Sequence, residues 1–215
     1  MVGFRERFDV RRAAVMQKIA DGELGDLVSL FGRRNCSRKA LDDPRDKPDP
    51  LVLQPGIHTM DLLLWMAGER VKEVYARNRC MVDKDRADSW WATLTFESGL
   101  VGVIEQSFFV PPNDLFWCDF HLEVVGTEAT AKISEPNDGT WLWTQDATVS
   151  PDLYHSPDLH GRVVGALEAE LACFVDCVRT GDSLDHGTLH QARDALEVGL
   201  AIVESAESGT PVSLS

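Results

Sequence analysis

The chain has 215 residues, 44% of them hydrophobic and 26% charged, a composition able to bury a sizeable core as a single domain. Its formal net charge of −14 leaves no clustered Lys and Arg surface to meet a phosphate backbone or an anionic bilayer, so nucleic acid and membrane are excluded as expected partners. No stretch approaches the roughly 20 apolar residues of a membrane helix and the first residues carry no signal-peptide run, so a cytoplasmic location is expected.

In chain order, Asp9 is a candidate cap for a helix over 9–20, with Val10, Ala13, Ala14 and Ile19 among its apolar positions. Gly22 and Gly25 bracket a turn before a strand over 26–35. The charged, proline-bearing stretch 36–49 reads as a long loop beside a functional site. A helix follows, with Pro55 in its first turn, Gln54 at its cap and Gly68 at its exit. Strands are predicted over 71–82, 89–97, 100–110, 118–125, 129–134 and 140–144, and Ser98-Gly99 joins two of them as a hairpin. Helices over 165–180 and 190–208 complete the chain, the first placing Leu167, Leu171, Phe174, Val175 and Val178 on one face, before a closing strand over 211–214. Strands in series flanked by helices predict an α+β fold on a mainly antiparallel open sheet. Trp90-Trp91, Phe108-Phe109, Phe116-Trp117 and Trp141-Leu142-Trp143 put large apolar side chains on both faces of that sheet. Helices are expected on one face and a second copy of the chain on the other.

The helix over 54–68 carries the chemistry. Positions 54, 58, 61 and 65 share one face, so His58 and Asp61 are neighbours near its start. The positive end of the helix dipole disfavours an imidazolium and suits His58 to accept a proton as a general base; the alternative is a histidine that bonds the backbone and packs. Asp61 either orients the imidazole or stands as a solvated carboxylate. His186 and His190 lack the glutamate of a zinc-protease pattern, and no metal is expected there. The stretch 154–160, with His155 and His160, reads as an exposed polar loop. Cys36, Cys80, Cys118, Cys173 and Cys177 are odd in number with no C-x-x-C, so they read as reduced thiols, Cys173 and Cys177 as small hydrophobes on one helical face. A G-x-G-x-x-G turn, a P-loop and a G-x-S-x-G elbow are absent.

These residues resemble a known family. Val2-Gly3-Phe4, Arg7-Phe8-Asp9, Asp21-Gly22-Glu23-Leu24-Gly25, Gly56-Ile57-His58 with Asp61 and Trp65, Gly68, Val124-Val125-Gly126-Thr127-Glu128, Gly181 and 205–212 follow, in order and spacing, the C-terminal domain of the oxidoreductases typified by glucose-fructose oxidoreductase, inositol 2-dehydrogenase and MocA. The resemblance implies one C-terminal substrate-binding and oligomerisation domain over 1–215, with an NAD(P)-binding Rossmann domain, on a preceding or separate chain, supplying the nucleotide fingerprint and a catalytic lysine. It implies His58 as the catalytic residue, with Gln54, Asp61 and Arg34 as substrate-binding residues. It also implies a sugar, cyclitol or related polyol as substrate, and NAD(P) in the full-length family with none bound by this chain alone. Gln54 departs from the family's usual aspartate at its position; a glutamine can hydrogen-bond a hydroxyl but cannot act as a carboxylate base. Two other readings stand beside this one: a carbohydrate-binding or assembly protein that lost redox activity, and a cofactor-independent lyase or isomerase with His58 as base.

Overall fold

The computed structural model describes residues 1–42, 50–82, 84–111, 118–135, 140, 142–143, 145–146, 148–149 and 151–214. The end of the predicted loop (43–49), the Phe116-Trp117 pair and Trp141 lie outside them.

A seven-stranded sheet forms the frame. In chain order its strands are β1 (Leu27–Ser37), β2 (Val71–Arg79), β3 (Ser89–Phe96), β4 (Val101–Val110), β5 (Cys118–Gly126) and β6 (Thr130–Glu135). Two short ribbons follow, β7 (Leu142–Trp143) with β8 (Thr148–Val149) and β9 (Asp158–Leu159) with β10 (Arg162–Val163), and β11 (Val212–Ser213) closes one edge. The order is β11-β2-β3-β4-β1-β5-β6, with β1 parallel to β4 and the other neighbours antiparallel. The predicted hairpin is present: Gly99 takes φ 94°, which a Cβ would oppose, and Ser98 is held by Glu69 through its N–H and hydroxyl.

Alternation along the strands buries Leu30, Val74, Ala76, Trp90, Ala92, Leu94, Ile104, Phe108, Phe120, Leu122 and Val124 on one face. Helices α2 (Gly56–Ala67) and α4 (Leu189–Ser208) cover that face. The reciprocal pair Thr188–Gln191 caps α4, which accounts for its start one residue earlier than predicted. Buried Ser205 then pins α4 to the sheet, accepting from Ala76 N–H at 2.9 Å and donating to the Thr210 carbonyl at 2.7 Å. The opposite face is open, with Tyr75, Trp91, Val101 and Phe109 among its exposed side chains.

Three elements depart from the sequence reading. Strand β1 continues through Ser37 and a 3-10 turn covers Arg38–Asp42, so the expected loop is shorter among the described residues. Helix α1 (Val10–Ala20) buries Arg12 alone, while Val10 is 75% exposed. Arg12 instead turns inward, where it meets Asp9, Glu6 and Glu135. Helix α3 (Ala166–Thr180) has the predicted apolar face, but that face is open: Leu171, Phe174, Val175 and Val178 are 43–69% exposed.

Candidate active site

Gly56 and Gly32 let α2 press into the sheet. A Cβ on Gly56 would sit 2.1 Å from Gln106 Oε1, and one on Gly32 2.5 Å from Thr59 Cγ2. Gln106 is fully buried and donates through Nε2 to the Leu51 carbonyl, fastening the 3-10 turn Leu51–Leu53 that leads into the helix. Pro55 occupies the cap position and Gln54 lies one residue further out, so the helix starts a residue later than predicted.

His58 is therefore in the first turn of α2, edge-on to buried Phe4 at 6.2 Å between ring centres. Its Nδ1 is buried without a hydrogen-bond partner. Burial first, then the charge of Arg34, pushes its pKa down to about 4, against the opposing pull of Glu6. The ring is neutral at ordinary pH, as the helix position suggested, but burial is the main reason.

The charges around it form a closed set. Glu6, 1% exposed, is within 3.0 Å of Arg34 and 2.9 Å of Arg12. Burial alone would raise the Glu6 carboxyl; the two guanidiniums outweigh it and hold the group well below the usual carboxylate range. Arg34 also donates to Thr59 Oγ1 at 3.2 Å and lies 4.8 Å from the Phe120 ring centre, with Arg12 at 4.5 Å from the same ring. Arg12 further pairs with Asp9 at 2.6 Å and Glu135 at 3.0 Å. His155 reaches in from the loop after β8, its Nε2 3.9 Å from Glu6 Oε1.

The structure thus brings His58, Arg34, Glu6 and His155 together, with Gln54 half-buried at the mouth of the helix. Asp61 is a correction. It is not solvated, and its partner is Arg7 rather than the imidazole: at 1% exposure, both its oxygens accept from Arg7, at 2.9 and 2.7 Å. His155 is a second correction: within a loop read as exposed, its side chain is 30% exposed and approaches Glu6, while Asp158, Leu159 and His160 are exposed. Glu6, Arg7 and Arg12 were missed; their only signal is the density of charge in 5–12 beside an aromatic at Phe4. A cavity of about 300 Å³ opens at the far end of α2, lined by Trp65, Gly68, Arg70, Gln191 and Glu197, away from His58.

Residues 16–214 match the family model described as the C-terminal alpha/beta domain of an oxidoreductase family, named for glucose-fructose oxidoreductase, inositol dehydrogenase and MocA. The chain belongs to this family. The scyllo-inositol 2-dehydrogenase (NAD(+)) of Bacillus subtilis is 28% identical over 222 residues, covering 99% of this chain and 62% of that enzyme. Among solved structures, myo-inositol 2-dehydrogenase from Lactobacillus plantarum superposes with a TM-score of 0.79 at 19% identity, covering 99% of this chain and 64% of that one. Scyllo-inositol dehydrogenase from Lactobacillus casei, solved with NAD(H) and scyllo-inositol, gives 0.76 at 16% identity, again covering 99% and 64%. These structural likenesses establish the fold, and the chain spans about three-fifths of the length of these relatives.

Within the family's domain, the glycines that sequence resemblance picked out gain a physical reason. Gly56 admits the helix to the sheet; Gly126 abuts the Leu24 carbonyl, 2.0 Å from where its Cβ would be. A nicotinamide dinucleotide, by contrast, finds no cradle among the described residues. Pro55, at the cap of α2, has no N–H to offer a phosphate, and the parallel neighbours β1 and β4 are not joined by a glycine-rich turn.

Proposed function

We propose that this domain is the substrate-facing half of an NAD(P)-dependent oxidoreductase acting on a sugar, cyclitol or related polyol, with the cofactor held by a separate nucleotide-binding domain. The observation that carries this reading is His58: a neutral ring with an unpartnered Nδ1, at the start of the helix that the family motif marks. A neutral imidazole can take the proton of a substrate hydroxyl, and Glu6 supplies the negative charge that favours the imidazolium so formed. Gln54, half-exposed at the helix mouth, can both donate to and accept from a neighbouring hydroxyl. Arg34 tunes the ring by its charge while fixed between Glu6, Thr59 and Phe120. The exposed apolar face of α3 supports a docking place for the nucleotide-binding domain, and the open face of the sheet supports assembly with further copies of the chain.

The test is to supply a nucleotide-binding domain of this family together with NAD(+) or NADP(+), and to follow nicotinamide reduction on a panel of inositols and sugars. Turnover is expected, and His58→Ala should lower it by roughly 10²–10⁴-fold with the fold intact. Turnover indifferent to the histidine, or binding of polyols with no turnover under any pairing, would overturn the reading.

A further inference from the structure

Cys36 stands near the end of β1 and Cys118 opens β5, and the antiparallel register sets them directly opposite each other. Their sulfurs are 3.4 Å apart and both thiols are free. Cys36 is buried and Cys118 partly exposed, so the pair runs from the core toward the surface. Side chains two residues apart along a strand share a face, so this rung lies beside the one formed by Arg34 and Phe120. The Arg34 guanidinium provides the positive charge that a thiolate needs in a buried setting. A hydrogen bond from the partner thiol draws Cys36 below the usual thiol range, against burial and with help from Arg34. The same sharing pushes Cys118 up, so one thiol of the pair ionises well before the other.

The remaining cysteines differ. Cys80 is exposed, and Cys177 on α3, although hydrogen-bonded to Cys173, is raised by burial, by Cys173 and by Asp182 and Asp176. Directly opposed strand residues hold their Cβ atoms about 4.5–5.5 Å apart, close to the roughly 3.5–4.5 Å of a disulfide. Small side-chain rotations and a slight closing of the ladder therefore suffice to join the sulfurs.

We propose that Cys36 and Cys118 form a reversible dithiol–disulfide pair, an oxidative modification site next to the Arg34 rung. With hydrogen peroxide as oxidant, the Cys36 thiolate attacks one oxygen, the O–O bond breaks, and the other oxygen takes a proton and leaves as water. Cys36 is then a sulfenic acid. The Cys118 sulfur attacks the Cys36 sulfur, the S–O bond breaks, and the hydroxyl leaves with the Cys118 proton as a second water. The two thiols have lost two electrons and the peroxide has gained them. A dithiol reductant reverses the change by exchange.

The experiment treats the full chain with graded hydrogen peroxide, alkylates the remaining thiols under denaturing conditions, and maps the digest by mass spectrometry. The expected product is a peptide linking Cys36 to Cys118, with Cys80, Cys173 and Cys177 alkylated and both thiols recovered after dithiothreitol. In C118S, checked for folding by circular dichroism, Cys36 should accumulate as a sulfenic acid captured by dimedone. Full alkylation of Cys36 and Cys118 in the wild-type chain at peroxide doses that oxidise Cys80, or links joining other cysteines instead, would overturn the proposal. The readout is sulfur chemistry alone, so its failure is distinct from failure of the polyol reading.

Discussion

Arg7 grips both carboxylate oxygens of Asp61, 54 residues away, from a side chain only 2% exposed. Burial raises the Asp61 carboxyl and Arg7 pulls it down, so the pair is a desolvated charge couple rather than a surface bridge. Asp61→Ala leaves Arg7 buried without its counter-charge and is expected to cost about 3–5 kcal/mol, whereas Arg7→Met with Asp61→Leu should cost much less. Urea midpoints of the two variants against the wild type check this; equal losses in the single and the double variant would contradict it.

Glu6 ties Arg34 and Arg12 to the same carboxylate and raises the proton affinity of His58. Glu6→Gln should therefore destabilise the fold by roughly 3–5 kcal/mol and move the His58 titration further below about 4. Imidazole chemical shifts followed with pH give the second readout, and a His58 pKa that rises in the variant would refute the electrostatic account.

Stability should also depend on pH through His58. Its pKa falls from 6.5 in a free setting to about 4 in the fold, so folding favours the neutral ring. The sign follows from the lost proton: the contribution is complete above about 6.5 and is lost as pH drops toward 4. Thermal melts of the wild type and His58→Gln between those limits should converge as pH falls, the wild type losing the larger share.

Gly56→Ala places a methyl 2.1 Å from the Gln106 amide oxygen, in a space with no slack. A loss of about 1–3 kcal/mol is expected. Because Gln106 also holds the turn before α2, any turnover in the proposed polyol assay should fall with it; Gly22→Ala serves as a contrast, strained by its φ of 74° but with nothing within 4 Å.

Trp91, 44% exposed on the open sheet face, is the natural probe for the proposed assembly. Trp91→Glu should shift the sedimentation profile to smaller species while the circular dichroism spectrum is retained. An unchanged profile would contradict the proposed assembly through that face.

Much of this was legible in the sequence because it rests on local rules. The hairpin at Ser98-Gly99, the strand alternation around Trp90 and Leu94, and the position of His58 in a first helical turn follow from turn chemistry and from periods of 2 and 3.6. What was not legible depends on distant partners. Nothing near Asp61 announces Arg7, and of the carboxylates that draw Arg12 to the buried side of α1, Glu6 and Asp9 are local but Glu135 lies 123 residues further along the chain. Likewise the sequence around His155 reads as an exposed loop because the charge His155 approaches, Glu6, is almost 150 residues earlier in the chain.

Strand β1, early in the chain, ends between two late ones, parallel to β4 and antiparallel to β5; Ser107, for example, donates to Asn35 across 72 residues. Closing so long a loop is slow, because the entropy of bringing the ends together is spent before any ladder bond forms. During synthesis β1 must wait unpaired until β4 emerges, while β2, β3 and β4 can join as successive antiparallel neighbours. Arg34 and Cys36 ride on that waiting strand. The charge cluster around His58 is consequently among the last parts of the molecule to come together, and the rate at which binding competence appears on refolding should follow insertion of β1 rather than formation of the hairpin.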